Sequence, residues 1–316
     1  MSATTISAPR APRGAGSGRR GRKARRRPLR QTLIYVAVLL FAIWVLFPLY
    51  FTVTSSFMTP AEVGRVPFHW VPEKPTLANY SAILRGDSTP FSDDAGSGVV
   101  ASSTNAVERL MPAMGRSVIV GLVVVFINLV VGGAAAYAFS RYPFRGAKIA
   151  YLGLLASRVV PAIAIVSPFF VFFRKTELLN TAPALIISYL VFTLPLAIWL
   201  LKSYFDSVPK ELEEAAMLDG ASRLKCLISI VLPLARPGLI AAGLLVFLEA
   251  WSEFFYALVL TNELTAPPVV AGLQNLQQFS WTTLAAASIF SLVPPVLIAV
   301  LFQRYIVSGL ARGSVR

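Results

Sequence analysis

Three ionisable side chains interrupt long apolar runs of this sequence: Arg158 in "YLGLLASRVVPAIAIVSPFF", and Glu249 and Glu253 in "GLLVFLEAWSEFFYALVL". At the centre of a lipid bilayer such a charge costs roughly 2.5 kcal/mol or more, so each must face protein or water. Glu249 and Glu253 are four apart, which puts both on one face of a continuous helix. Two chemistries fit these residues. They can line a polar path, with Trp251 or Phe254 offering an aromatic surface, or Arg158 and Glu249 can neutralise each other and hold two helices together. The need of an intramembrane charge for a partner favours the Arg158–Glu249 pair and leaves Glu253 as the better path residue. Covalent and metal chemistry fail on supply. One histidine, His69, and one cysteine, Cys226, leave no disulfide, no Cys/His metal cluster within the chain and no clustered nucleophile and base.

The elements that carry these charges follow from composition. The chain has 316 residues, 56% hydrophobic and 14% charged, and a mean hydropathy of +0.67. That balance describes an integral membrane protein. Six apolar runs approach the roughly 20 residues that a bilayer requires, at 33–55, 117–140, 149–173, 182–204, 239–260 and 284–307. The expected fold is therefore all-α and polytopic. Pro161 and Pro168, Pro195, and the pair Pro294 and Pro295 should kink the third, fourth and sixth runs. No repeat with the period of a solenoid is present.

The net charge of +14 is concentrated in a Gly/Pro/Ser-rich tail, 1–32, with ten basic residues between Arg10 and Arg30. Beside a membrane span such a tail is a positive-inside anchor, expected to be disordered and to meet lipid rather than nucleic acid. With it inside, Arg141, Arg145, Lys148, the basic residues of 205–238 and the C-terminal tail 309–316 are cytoplasmic too. Both termini then lie on the cytoplasmic face, with Arg174 and Lys175 as one exception on the outer side. An acidic, Ser/Gly-rich insertion at 85–109 falls on that outer side.

The stretch 205–238 is the most charged and amphipathic part of the apolar region. Ser207 and Pro209 suit the start of a short helix, with Glu211, Glu213 and Glu214 near its positive end. Gly220 suits a left-handed stop. Ser222 then begins a second helix whose Leu224, Leu227, Ile228 and Val231 form a stripe, ended by Pro233 and Pro237. An exposed stripe of this kind needs cover from the membrane surface, the rest of the chain or a partner.

The spacing Glu214-Ala215-Ala216, three residues, Gly220, nine residues, then Ile230, Leu232 and Pro233 resembles the EAA loop of binding-protein-dependent ABC importer permeases. "AAAYAFSRYPFRG", "RVVPAIAIVSPFFVFF", "WSEFFYALVL" and "FQRYIVSGLARGSVR" extend the resemblance to the sugar-type subfamily, in particular to the second permease of maltose-type systems. It implies a type I importer fold in the cell membrane, with permease domain 33–308. It also implies a second related permease, two ATPase subunits, an extracytoplasmic solute-binding protein and a sugar, oligosaccharide or polyol as cargo. By the same resemblance Glu214 and Asp219 contact the ATPase, Ala215 and Ala216 allow close approach, and Gly220 sets the bend. The chain lacks the G-x-x-x-x-G-K-[ST] phosphate loop, so ATP is expected to be hydrolysed by a separate subunit and no cofactor is expected here. Two alternatives are a different cargo, such as glycerol phosphate, and an ion-driven transporter using Glu249 and Glu253 as proton sites. The latter leaves the loop unexplained.

Overall fold

The computed structural model describes residues 26–67, 69–86, 104–261 and 281–313. The tail up to residue 25, residues 87–103 of the acidic insertion and the last three residues lie outside the described residues.

Among the described residues the regular structure is helical, without strands. The chain divides into two units, 1–51 and 52–316. The first contains most of α1 (Arg26–Ser56). Its stretch Gln31–Ser56 has a mean hydropathy of 2.5 and is long enough to cross a membrane.

The second unit follows as α2 (Pro60–Val63), α3 (Ala78–Arg85), α4 (Thr104–Ile127), α5 (Gly133–Arg141), α6 (Ala147–Ala156), α7 (Ala162–Lys175) and α8 (Ala182–Asp206). Then come α9 (Lys210–Leu218), α10 (Arg223–Cys226), α11 (Leu232–Leu234), α12 (Arg236–Ser252), α13 (Phe255–Leu260) and α14 (Trp281–Gly313). A π-helical turn, Asn128–Gly132, joins α4 to α5, so that Leu110–Arg141 forms one 32-residue apolar stretch. In that turn the buried Asn128 amide donates to Val124 O (2.8 Å) and across to Thr193 Oγ1 of α8 (2.9 Å). Apolar surroundings offer no water to such a group, so a neighbouring helix must receive it.

Among the described residues four helical stretches are long and apolar enough to span a membrane, and two bent pairs bring the number to as many as six. Two breaks correct the expectation of a kinked but continuous third run and of a continuous fifth run. The third breaks at Val160–Pro161, where Ala147–Val159 and Ala162–Lys175 meet at 93°. Val160 is extended there (φ −67°, ψ 122°), the conformation that a following proline imposes. The fifth run ends α12 at Ser252, passes through an extended Glu253 (φ −70°, ψ 121°) and restarts as α13. Arg223–Leu234 also meets α12 at 80°. The last helix runs to Gly313, through residues read from the sequence as the start of the tail.

Among the described residues, three buried clusters organise the second unit. One gathers Val124, Phe173, Leu185, Tyr189, Val246 and Tyr256 from α4, α7, α8, α12 and α13. Another joins α3, α4 and α14 through Ile83, Leu110 and Ala286. The third packs Ala136 and Tyr137 of α5, Leu201 and Phe205 of α8, and Ala242 of α12 against Val231, which leads out of α10. Close approach next to this cluster depends on Gly238, because a Cβ there would lie 2.2 Å from Cγ of the Tyr204 ring. Gly238→Ala should therefore cost about 1–3 kcal/mol by overpacking. Thermal unfolding in detergent should show a lower midpoint, with part of the loss recovered by Gly238→Ala combined with Tyr204→Ala.

Candidate functional site: a tethered loop and an intramembrane cavity

The loop is built from two short helices around a defined turn. Gly220 N–H bonds to Met217 O (3.1 Å) and Ala221 N–H to Ala216 O (2.9 Å). This is the paired bonding that closes a helix with a left-handed residue, and Gly220 supplies it at φ +86°. Nothing lies within 4 Å of a Cβ built on Gly220, so backbone conformation is its constraint and space is not. Ser222 caps α10, its Oγ accepting from Lys225 N–H at 3.3 Å. Ser207 does not cap α9: it donates to Tyr204 O (2.7 Å) at the end of α8, and α9 begins after Pro209 without a side-chain cap.

The two faces of the loop differ. Glu214, Ala215, Asp219, Gly220 and Pro233 are exposed, and Ala216, Ile230 and Leu232 are half-buried. Glu213, Cys226 and Val231 are buried. The expected apolar stripe is thus split, because the π-helical turn Leu227–Val231 shifts the helical phase: Val231 is buried, while Leu224 and Ile228 remain 66% and 55% exposed.

In the sequence Glu213 stands out only by its place near a helix start. Its carboxylate accepts from the Tyr137 hydroxyl (2.6 Å) and Arg141 Nε (2.5 Å), and Arg141 Nη2 donates to Val208 O (2.8 Å). The partners are 72 and 76 residues away in sequence, so no local pattern announces them.

A second polar group lies among the apolar helices. Arg158 sits in a 3₁₀ turn, Ser157–Val159, just before the Pro161 break. Its Nη2 donates to Glu249 Oε1 of α12 at 2.6 Å, both side chains being 36% exposed. Glu253 has left the helical face it was expected to share with Glu249. Its carboxylate accepts from the N–H groups of Phe255, Tyr256 and Ala257 (3.1–3.4 Å), satisfying donors that the start of α13 would otherwise leave open. The Tyr256 hydroxyl donates to Ala162 O (2.9 Å), tying this break to the beginning of α7.

A cavity of about 270 Å³ lies against Arg158, Tyr189, Phe192, Glu249, Glu253 and Tyr256. Tyr189, Phe192 and Tyr256 supply its aromatic surface, in place of the two aromatics expected from the sequence. Trp251 is buried, stacks on Phe247 (5.8 Å between ring centres) and donates to Ser291 O at 3.2 Å. Phe254 is half-buried against the apolar cluster around Tyr256.

The family described as "Binding-protein-dependent transport system inner membrane component" matches residues 128–312. The Trehalose/maltose transport system permease protein MalG of Thermococcus litoralis is 36% identical over 293 residues, 91% of this chain and 98% of that protein. The Trehalose transport system permease protein SugB of Mycobacterium tuberculosis is 34% identical over 290 residues, 90% and 95% of the two chains. A solved bacterial ABC transporter involved in the import of the acidic polysaccharide alginate has a chain of the same fold. It aligns with a TM-score of 0.63 at 22% identity, covering 92% of this chain and 99% of that one.

Removing one member of the Arg158–Glu249 pair should be worse than removing both. Arg158→Ala leaves Glu249 without its guanidinium, at a cost of roughly 2.5–3.5 kcal/mol if the site lies at mid-membrane. Purified protein should unfold at lower temperature, and Arg158→Met combined with Glu249→Leu should recover most of the loss. A double variant as unstable as Arg158→Ala would remove the pair from the stability of the fold.

Proposed function

The chain belongs to the binding-protein-dependent transport system inner membrane components, and from that membership we propose that it forms half of the translocation path of an ATP-driven sugar importer. A second, related permease forms the other half. Two ATPase subunits act from the cytoplasm, and an extracytoplasmic binding protein delivers a sugar, oligosaccharide or polyol. In this reading the pair Ala147–Val159 and Ala162–Lys175 is the third span and α12 with α13 is the fifth, giving six, while Arg223–Leu234 stays in the cytoplasmic loop; both termini are cytoplasmic, as the distribution of Lys and Arg favours.

The observation that carries the reading is the two-sided loop. Its anchored side is sequestered by Glu213, Cys226 and Val231, while Glu214, Ala215, Asp219 and Gly220 stand exposed. A surface held in a fixed shape but uncovered suits a partner groove, and here the partner is the ATPase. ATP binding and hydrolysis shift the loop, and the permease pair rocks between inward-facing and outward-facing states. The shift requires the ATPase to bind the two states with different affinity. The cavity beside Arg158, Glu249 and Glu253 forms part of the solute path, where carboxylate and guanidinium groups hydrogen-bond sugar hydroxyls beside an aromatic wall. The sugar class is supported by the two relatives named for trehalose or maltose transport.

Two substitutions on the exposed face test the coupling role. A charge-assisted contact contributes about 1.5–3 kcal/mol, so Glu214→Ala should weaken ATPase binding by about tenfold to a hundredfold. Gly220→Val forces a β-branched residue to positive φ and should uncouple ATP hydrolysis from uptake while membrane insertion stays normal. Co-purification of the ATPase and uptake into proteoliposomes measure these effects; wild-type behaviour of both variants would remove the loop from the mechanism.

A further inference from the structure

Glu214 faces outward, but its neighbour Glu213 is the acid built into the fold. Both Glu213 oxygens are occupied, one by the Tyr137 hydroxyl and one by Arg141 Nε. The Arg141 and Glu213 side chains are only 8% and 6% exposed. An exposed pair is screened and exchanges readily with water, whereas a buried pair with filled hydrogen bonds has few other arrangements open to it. Arg141 also holds Val208 O, which fastens the connection between α8 and α9. α10 reaches the same place, with the Arg223 guanidinium 4.8 Å from the centre of the Tyr142 ring. Both loop helices are therefore tied to the C-terminal end of the stretch Leu110–Arg141 or the residue after it.

We infer that Glu213 is a positioning residue for coupling: with Tyr137 and Arg141 it locks α9 to the end of α5, so that displacement of the exposed loop moves the long Leu110–Arg141 helix. Without the lock, the loop would bend on its flanking connections and the push would be lost. The inference rests on the proposed docking of the loop to an ATPase. It gives the two adjacent acids separate tasks, Glu214 towards the partner and Glu213 towards the membrane helices.

The test uses the full transporter in proteoliposomes with its binding protein, measuring import of radiolabelled trehalose, with maltose in parallel, against phosphate released from ATP. Glu213→Ala should lower sugar moved per ATP by about fivefold or more, the lower end of measured coupling between sites, and Tyr137→Phe by about twofold. Glu213→Gln still accepts from Arg141 and can donate to the Tyr137 oxygen, so its ratio should stay closer to wild type than that of Glu213→Ala. An unchanged ratio in Glu213→Ala, with only less complex recovered, makes the network structural and overturns the inference. If Glu213→Ala fails to assemble, Tyr137→Phe decides by the same ratio: a fall supports the lock and an unchanged value overturns it. A wild-type complex that hydrolyses ATP without importing either sugar would instead count against the functional reading.

Discussion

An ionised side chain among apolar helices needs a hydrogen-bond partner, and much of this structure follows from how each such charge is accommodated. Arg158 meets Glu249 where the third apolar run is broken, and Glu253 is absorbed by the open N–H groups of α13 where the fifth run is broken. Glu213 is taken up by Tyr137 and Arg141 where the loop returns to the helices. Even the neutral Asn128, placed in a π-helical turn, reaches across to Thr193. Arg158, Asn128 and Glu253 thus sit at turns or breaks in helices, the places where shape and mechanism also have to be set.

The breaks have a consequence beyond satisfying charges. A continuous helix through residues 239–260 would carry Glu249 and Glu253 as parallel neighbours on one face. With the chain extended at Glu253, the two carboxylates take different work: one neutralises a guanidinium and the other caps a helix. Both still border one cavity with Tyr189, Phe192 and Tyr256. In the proposed account this cavity gives sugar hydroxyls both donors and acceptors, while the tethered loop receives the energy that moves the path.

Local chemistry was the legible part of the sequence. Gly220 was readable as a left-handed stop because few other residues tolerate its backbone, and Ser222 as a cap because of its position before a helix-like run. The apolar lengths announced the helices, since hydrophobicity summed over about 20 residues is a strong signal. The sequence signals only a kink where the structure has a 93° break before Pro161, because proline allows either outcome and packing decides between them. Ser207 had the right type and place for a cap, yet the end of α8 claimed its hydroxyl. Trp251 is expected to offer an aromatic surface at a path, but α12 turns it towards Phe247 and Ser291. The lock around Glu213 was invisible for another reason: a carboxylate and a guanidinium 72 residues apart carry no periodic signature, and only the return of the loop onto α5 brings them together.

The central claim is that energy enters through the loop from a separate ATPase. Its most direct measurement is uptake of labelled sugar by proteoliposomes holding the complete transporter and binding protein, with ATP on the ATPase side, compared with the same vesicles carrying a hydrolysis-dead ATPase. The account predicts uptake only with the active ATPase, whether or not a proton gradient is imposed. Uptake that persists with the dead ATPase and follows the proton gradient would contradict it.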